Sequence, residues 1–131
     1  MAFAVNAVVT SLGKQIVAKQ VSGTTTNPPK YIAYGTGATA AARTAAIGDT
    51  TLSTEVETRG VCTLTVSTTS VTNDSVTWVG TPVAATVART IDEYAIFDAS
   101  TAGNMFFSGT QTAQPLQIGD SITYTIKVQW L

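Results

Sequence analysis

The sequence contains no histidine and a single cysteine, Cys62, and only 11% of its 131 residues are charged. Without histidine, the chain lacks the usual near-neutral base of a nucleophilic triad. One cysteine excludes an internal disulfide and a zinc site built from cysteine and histidine. The net charge of −1, with its basic residues scattered, creates no field that would attract nucleic acid or an anionic membrane. We therefore expect no enzyme activity, no cofactor or metal, and no nucleic-acid or membrane partner.

Long hydrophobic runs are also absent. No segment approaches the 18 apolar residues of a membrane-spanning helix. The N-terminal stretch MAFAVNAVVTSLGKQ lacks the basic segment and the apolar core of a secretory signal. We expect a protein that is made in a cytoplasm and is soluble there.

Threonine is the residue that the sequence has in excess, at roughly one position in five. Together with valine and isoleucine, threonine favours pleated surfaces that are half buried. A surface with so little charge suits a protein that works against other protein. The composition thus favours a β fold with extensive protein contacts.

The N-terminal segment shows helical spacing. Its periodic apolar residues are Val8 or Val9, Leu12 and Ile16. Thr10 or Ser11 is the expected N-cap and Gly23 the expected end, while an extended start before Ser11 is the alternative. The prolines of TTTNPPK then interrupt any regular element. These signals predict an N-terminal helix or arm with a linker over residues 1–30, followed by a β domain over residues 31–131.

Within the β domain, the clearest strand is SITYTIKVQWL, which alternates strictly between apolar and polar residues. Its apolar positions are Ile122, Tyr124, Ile126, Val128 and Trp130. Upstream, YIAYGTGATAAART predicts a strand at Tyr31–Tyr34, and a long loop follows from Ala38 to Thr51. VCTLTVSTTSVTNDSVTWVG predicts a hairpin that turns at Asn73-Asp74.

The remaining segments complete an all-β pattern. TPVAATVARTIDEYAIFD predicts either two strands or a loop and a strand, NMFFSGT predicts a short strand, and QPLQIGD predicts a turn at Pro115 and Gly119. The expected fold is mainly β. It is a single-domain β-sandwich or jelly-roll-like barrel of roughly six to eight short strands, with a short N-terminal helix or arm.

Three carboxylates, Asp92, Glu93 and Asp98, lie close together in IDEYAIFDASTAGNMFFSGT. A carboxylate pair can hydrolyse glycosides, but in a strand Asp92 and Asp98 share one face and Glu93 points to the other. The segment also lacks the ligand spacing of a calcium loop. We expect these carboxylates to accept hydrogen bonds from turn amides or to pair with Arg59 or Arg89, with no catalytic or metal-binding role.

Cys62 alternates with Leu64 and Val66, which predicts a small buried core residue rather than a reactive thiol. The aromatic residues are compatible with a sugar-binding groove, but their strand spacing favours core or interface positions. These residues are Tyr34, Trp78, Trp130 and the pair Phe106-Phe107.

The order of the segments resembles that of small virion structural proteins of tailed bacteriophages. The resemblance rests on TLSTEVETRG, on IDEYAIFDASTAGNM and on the closing ITYTIKVQW strand, and it covers about residues 31–131. Such elements occur in capsid cement (decoration) proteins, and the later part is similar to the N-terminal collar region of phage tail-fibre proteins. Tyr94-Ala95 stands where those families often carry a small residue and glycine, so the turn or the packing there is expected to differ.

This resemblance implies a capsid cement protein on the exterior of the virion head, synthesised in the bacterial cytoplasm. Its partner would be the major capsid protein, and it would assemble as a homo-oligomer, a dimer or a trimer. The alternative is a tail-fibre, collar or other tail structural module that takes part in host attachment.

The expected contact regions are the N-terminal segment 2–21 and the loop 35–51, because both have small residues and little charge outside the β pattern. The candidate interaction residues are Phe3, Val5, Val8, Leu12, Tyr34, Gly35, Gly37 and Arg43.

Overall fold

The computed structural model of the chain describes residues 5–24 and 27–130, and for Val5 and Asn6 the backbone alone. This part of the chain forms eight β-strands and one α-helix. The strands are β1 (Val5–Val9), β2 (Tyr31–Thr36), β3 (Thr54–Val61), β4 (Thr63–Ser67), β5 (Ser75–Gly80), β6 (Arg89–Phe97), β7 (Met105–Leu116) and β8 (Tyr124–Gln129), and the helix is α1 (Ser11–Val21). The predicted mainly-β class is confirmed.

The strands form two antiparallel sheets that pack face to face. The larger sheet has the order β1-β7-β6-β2-β3, and the smaller has the order β4-β5-β8. Aromatic rings join the sheets across the core: Trp78 lies 5.2 Å from Phe106 and Tyr94 lies 4.9 Å from Tyr124, centroid to centroid. The expected β-sandwich is confirmed, and its two sheets have separate strand orders rather than closing into a jelly-roll-like barrel.

The closing strand lies as its alternation predicts. Tyr124 and Ile126 are buried in the core, whereas the alternating residues Thr125 and Lys127 are exposed. The buried phenol of Tyr124 donates a hydrogen bond to the side-chain oxygen of Gln111, 2.8 Å away. Because a buried hydroxyl needs a partner, this bond fixes β8 against the larger sheet.

Within the first 30 residues, β1 is an edge strand of the larger sheet and α1 packs against that sheet. β1 pairs with β7 from Val5–Gln111 to Val9–Phe107, so the extended start before Ser11 is present. The hydroxyl of Thr10 accepts the N–H of Gly13 at 2.9 Å and caps α1, which confirms the predicted helix start. A Cβ at Gly13 would collide with the carbonyl oxygen of Phe106, so glycine lets the helix approach β7 closely.

β7 is longer than the sequence predicts. Pro115, expected in a turn, lies inside the strand opposite Thr90 of β6, and the turn follows at Gly119, whose φ is +88°. The described part of β1 pairs with β7 from Val9–Phe107 to Val5–Gln111, so Pro115 lies beyond this described pairing. Proline has no N–H to donate, so within a strand it is tolerated where no ladder bond is required of it.

The loop between β2 and β3 lies over the outer face of the larger sheet. Its Leu52 packs into a second small core with residues of β2, β6 and β7. The members of this core are Ala33, Leu52, Ala95, Phe97 and Met105. The predicted long loop from Ala38 to Thr51 is confirmed as a loop, and most of its residues are exposed.

Candidate functional site

The carboxylates of Asp92 and Glu93 anchor both ends of the loop between β2 and β3. Asp92 accepts hydrogen bonds from the backbone N–H groups at positions 38 and 39, at 3.0 and 2.8 Å. Glu93, which is fully buried, accepts those at positions 53 and 54, at 3.0 and 2.9 Å. The expectation that these carboxylates bind turn amides is confirmed.

Arg43 joins this loop to the sheet. Its guanidinium contacts Glu93 at 3.0 Å, Asp49 at 2.7 Å and the hydroxyl of Ser108 at 2.6 Å. The Ser108 hydroxyl in turn donates to Asp49 at 2.6 Å. Charge-assisted bonds of this kind compensate the burial of Glu93, so the network is a structural clamp.

The alternative prediction, that Arg59 or Arg89 pairs with Asp92 or Glu93, is wrong. Arg59 pairs with Glu55 at 2.9 Å, and Arg89 pairs with Glu57 at 2.9 Å. Both arginines are therefore already occupied by carboxylates on β3. Glu93 instead receives its cation from the loop above it.

Arg59 connects two of the three sequence segments that carry the resemblance. It binds Glu55 through two nitrogens and donates to the carbonyl oxygens of Ala99 and Ala102, at 2.8 and 2.7 Å. Its guanidinium also lies 3.6 Å from the ring centroid of Phe97. These contacts fix the loop between β6 and β7 against β3.

That loop is closed by Asp98, which accepts the backbone N–H of Asn104 at 2.7 Å and its side-chain amide at 3.0 Å. Gly103 has a φ of +73°, and a Cβ there would lie 2.5 Å from the Asp98 carboxylate. Glycine is thus required by both the conformation and the space. Among the described residues, no three or more His, Cys, Asp or Glu side chains are grouped so as to hold a metal ion.

Cys62 lies where the chain passes from the larger sheet to the smaller one, and it is buried, as predicted. Burial raises the pKa of its thiol to about 11. The thiol is therefore protonated at neutral pH, and its position is that of a small core residue.

The candidate interaction residues are spread over the fold rather than brought together. Phe3 lies outside the described residues, and Val5 contributes its backbone to β1. Val8, Leu12, Gly37 and Arg43 are half-buried. Their proposed role as contacts stays a prediction.

Tyr34 and Gly35 lie inside the fold, which corrects their expected place on a contact surface. The Tyr34 hydroxyl donates to the carbonyl oxygen of Val83 at 2.6 Å, and its ring is fully buried. A Cβ on Gly35 would collide with the carbonyl oxygen of Thr54. A partner cannot reach either residue without opening the sandwich, because strand packing occupies the space around both.

The sequence does not reveal one largely exposed surface, which is the outer side of the smaller sheet. Strand pairing aligns outward residues of β4, β5 and β8 in rows across this sheet. We call this surface the threonine face, and its two main rows are Thr63, Val79 and Thr125, then Thr65, Thr77 and Lys127. Lys127 is the single charged residue in these rows.

An apolar groove of about 220 Å³ opens between α1 and the inner side of the smaller sheet. We call it the helix groove; its lining includes Ile16, Val17, Val21, Leu64, Val76 and Trp130. Trp78 forms part of its floor and donates its indole N–H to the carbonyl oxygen of Pro29, at 2.7 Å. Trp78, Tyr34 and Phe106 are core residues, as their strand spacing predicts, whereas Trp130 is partly exposed.

Comparison with known families gives a match across almost the whole described fold. Residues 7–129 match the model of the family described as "Podophage GP4 fiber I protein gp80". No curated protein and no solved structure matches the chain significantly. In the described part of the chain, no helix is long and apolar enough to span a membrane.

Proposed function

The chain belongs to the family of the podophage GP4 fiber I protein gp80, a family of phage virion structural proteins, and we propose that it is a structural module of a phage tail fibre. The observation that carries this proposal is the match over residues 7–129, which runs from β1 to β8. It favours the tail-fibre alternative over the capsid cement interpretation that the sequence alone places first.

The threonine face is the surface through which we propose that the module docks on a neighbouring virion protein. It is broad, regular and almost uncharged. Apart from Lys127, burying such a surface leaves no unpaired charge, whose desolvation would cost several kcal/mol. Its hydroxyl groups can hydrogen-bond to a partner or to bridging water. The proposed partner is therefore an uncharged, hydrogen-bonding protein surface.

The proposed role is mechanical and not catalytic. The network of Arg43 and the contacts of Arg59 hold the two loops that join adjacent strands of the larger sheet in fixed positions. A rigid body loses little conformational freedom when it docks, so weak contacts suffice. Equivalent contacts in several copies then add through multivalency.

Copy number in the virion tests the proposal. We expect quantitative mass spectrometry of purified virions to find a handful of copies, at a fixed ratio to other tail proteins. A cement protein would instead occur in hundreds of copies, at a fixed ratio to the major capsid protein. Hundreds of copies per virion would contradict the fibre proposal.

The docking surface is tested by Thr125→Glu, which places a carboxylate on the exposed threonine face. We expect fewer copies of this variant in virions than of the wild type, because docking would then bury an unpaired charge. The matched control is Thr90→Glu, an exposed threonine on β6 of the other sheet. Equal incorporation of both variants would exclude the threonine face as the docking surface.

A further inference from the structure

β4 is an edge strand without the usual protection. It is the last strand of the smaller sheet, and its pairing with β5 is continuous from Thr63–Val79 to Ser67–Ser75, with no bulge. Its sequence, TLTVS, has no charge and no proline. Unpaired edges normally carry such features because exposed N–H and C=O groups recruit other strands.

The neighbouring edges of the fold show the contrast. β3, the edge strand next to β4 in sequence, carries two glutamates and an arginine, and Glu57 within it has a φ of +60°. A register shift also interrupts its pairing with β2. β8, at the other side of the smaller sheet, carries Lys127. β4 has none of these devices.

The helix groove adjoins this edge. Leu64 of β4 lines the groove, and Val66, on the same side of the strand, is 60% exposed. A strand added to β4 would direct alternate side chains toward the groove and the others toward the threonine face. The edge therefore fits an uncharged strand with apolar residues on one side and hydroxyl residues on the other.

β4 itself has this pattern. A two-fold axis through Thr65 would pair two β4 strands antiparallel, with Leu64 opposite Val66 of the partner subunit and Thr63 opposite Ser67 of the partner subunit. Apolar residues would then face apolar residues and hydroxyls would face hydroxyls, which are favourable cross-strand pairs. No charge would be buried, so the pairing carries no charge-desolvation cost.

We propose that β4 is a self-association edge through which two copies of this chain form a dimer. The two smaller sheets then become one six-stranded sheet, in the order β8-β5-β4-β4-β5-β8. Side chains of the partner's strand cover part of each helix groove. This inference concerns assembly, and it stands or falls independently of where the protein is located in the virion.

In the proposed dimer, the two copies of Thr65 lie opposite each other. Substitutions at this position, measured by sedimentation equilibrium on the full chain, therefore test the proposal directly. The wild type is expected to dimerise at micromolar concentration. Thr65→Lys and Thr65→Glu each place like charges opposite one another, and we expect each to weaken dimerisation at least about tenfold. An equimolar mixture of the two variants is expected to restore the dimer, because the opposed charges then attract.

The matched control is Thr58→Lys, an exposed threonine on the protected edge strand β3, which should dimerise like the wild type. Thermal unfolding of each variant by circular dichroism confirms that its fold is retained. Thr65→Cys adds a test of register: cysteines opposite each other in an antiparallel pair lie within disulfide range, so oxidation should give a covalent dimer.

A wild type that is monomeric at 100 µM or trimeric would overturn the proposal. So would a Thr65→Lys variant that dimerises as tightly as the wild type, or a mixture of the charged variants that stays monomeric. If the charged variants Thr65→Lys and Thr65→Glu misfold, the absence of a covalent dimer from a folded Thr65→Cys variant overturns the proposal as well. None of these results bears on copy number in the virion, so they do not affect the fibre proposal.

Discussion

Replacing Arg43 by methionine should destabilise the fold more than any other single loss of a positive charge. Arg43 is the cation that the structure gives to Glu93, whose side chain has no exposure to solvent. Removing one partner of a buried ion pair typically costs about 3–5 kcal/mol, because the remaining charge is left uncompensated. Glu93 keeps its two backbone N–H donors, so we expect the lower end, about 3 kcal/mol.

That loss is a large part of the about 5–15 kcal/mol by which domains are usually stable. For a domain of this length it lowers the melting temperature by about 10 °C. Urea unfolding followed by tryptophan fluorescence measures it, since Trp78 lies in the core. The double variant Arg43→Met/Glu93→Gln should cost less than the sum of the two single variants.

The control is Lys127→Met, which removes an exposed positive charge and should change stability by less than about 0.5 kcal/mol. If Arg43→Met costs no more than this control, the clamp does not stabilise the fold. Additive single variants would likewise refute the reasoning, because they would show no coupling between Arg43 and Glu93.

Three further predictions concern the loops and the core. Arg59→Met removes the donors that hold the loop between β6 and β7, so hydrogen exchange at residues 98–104 should quicken while β5 stays protected; unchanged exchange in the loop would contradict the assignment. Burial raises the pKa of Cys62 to about 11, so a thiol reagent at pH 8 should label it only after unfolding. Because the unfolded thiol ionises first, stability should fall as pH rises from about 9 to about 11, and the fall should be smaller in the variant Cys62→Ala, in which only the buried tyrosines with raised pKa values still contribute. Asp74 accepts hydrogen bonds from three backbone N–H groups of its loop, foremost that of Val71, and these bonds lower its pKa. The ionised carboxylate should therefore stabilise the fold above the ordinary pKa of aspartate, and this stabilisation should be lost in more acidic solution. Asp74→Ala should remove this pH dependence of stability.

The parts of the fold that local sequence encodes could be predicted. Alternation along β8 identified the residues that enter the core, because a strand with one buried face must have a period of two. The start of α1 was predictable for a similar reason, since Thr10 offers a side-chain oxygen to the free N–H groups of the first turn. The burial of Cys62 followed from the same alternation.

The features that depend on distant pairing could not be predicted. Arg43 lies in a loop of small residues, and its partner Glu93 is 50 positions away. No local sequence pattern could therefore predict that the two side chains form an ion pair. The threonine face depends on the register between β4, β5 and β8, which the sequence does not state. The strand spacing of Tyr34 favoured a core position, but its hydrogen-bond partner Val83 is 49 positions away and could not be predicted.

The distinction between fibre and capsid also lay beyond the residue pattern. The motifs TLSTEVETRG and IDEYAIFDASTAGN encode a strand, a closed loop and the Arg59 contacts that join them. Such contacts stabilise the fold, and a stable fold is equally compatible with a protein of the phage head and with a protein of the phage tail. The family match supplies the preference for a fibre.

Electron cryomicroscopy of virions decorated with an antibody fragment against this protein tests the central claim most directly. The account predicts density for the fragment on the tail or its fibres and none on the head. Fragments distributed over the outside of the icosahedral head would contradict it.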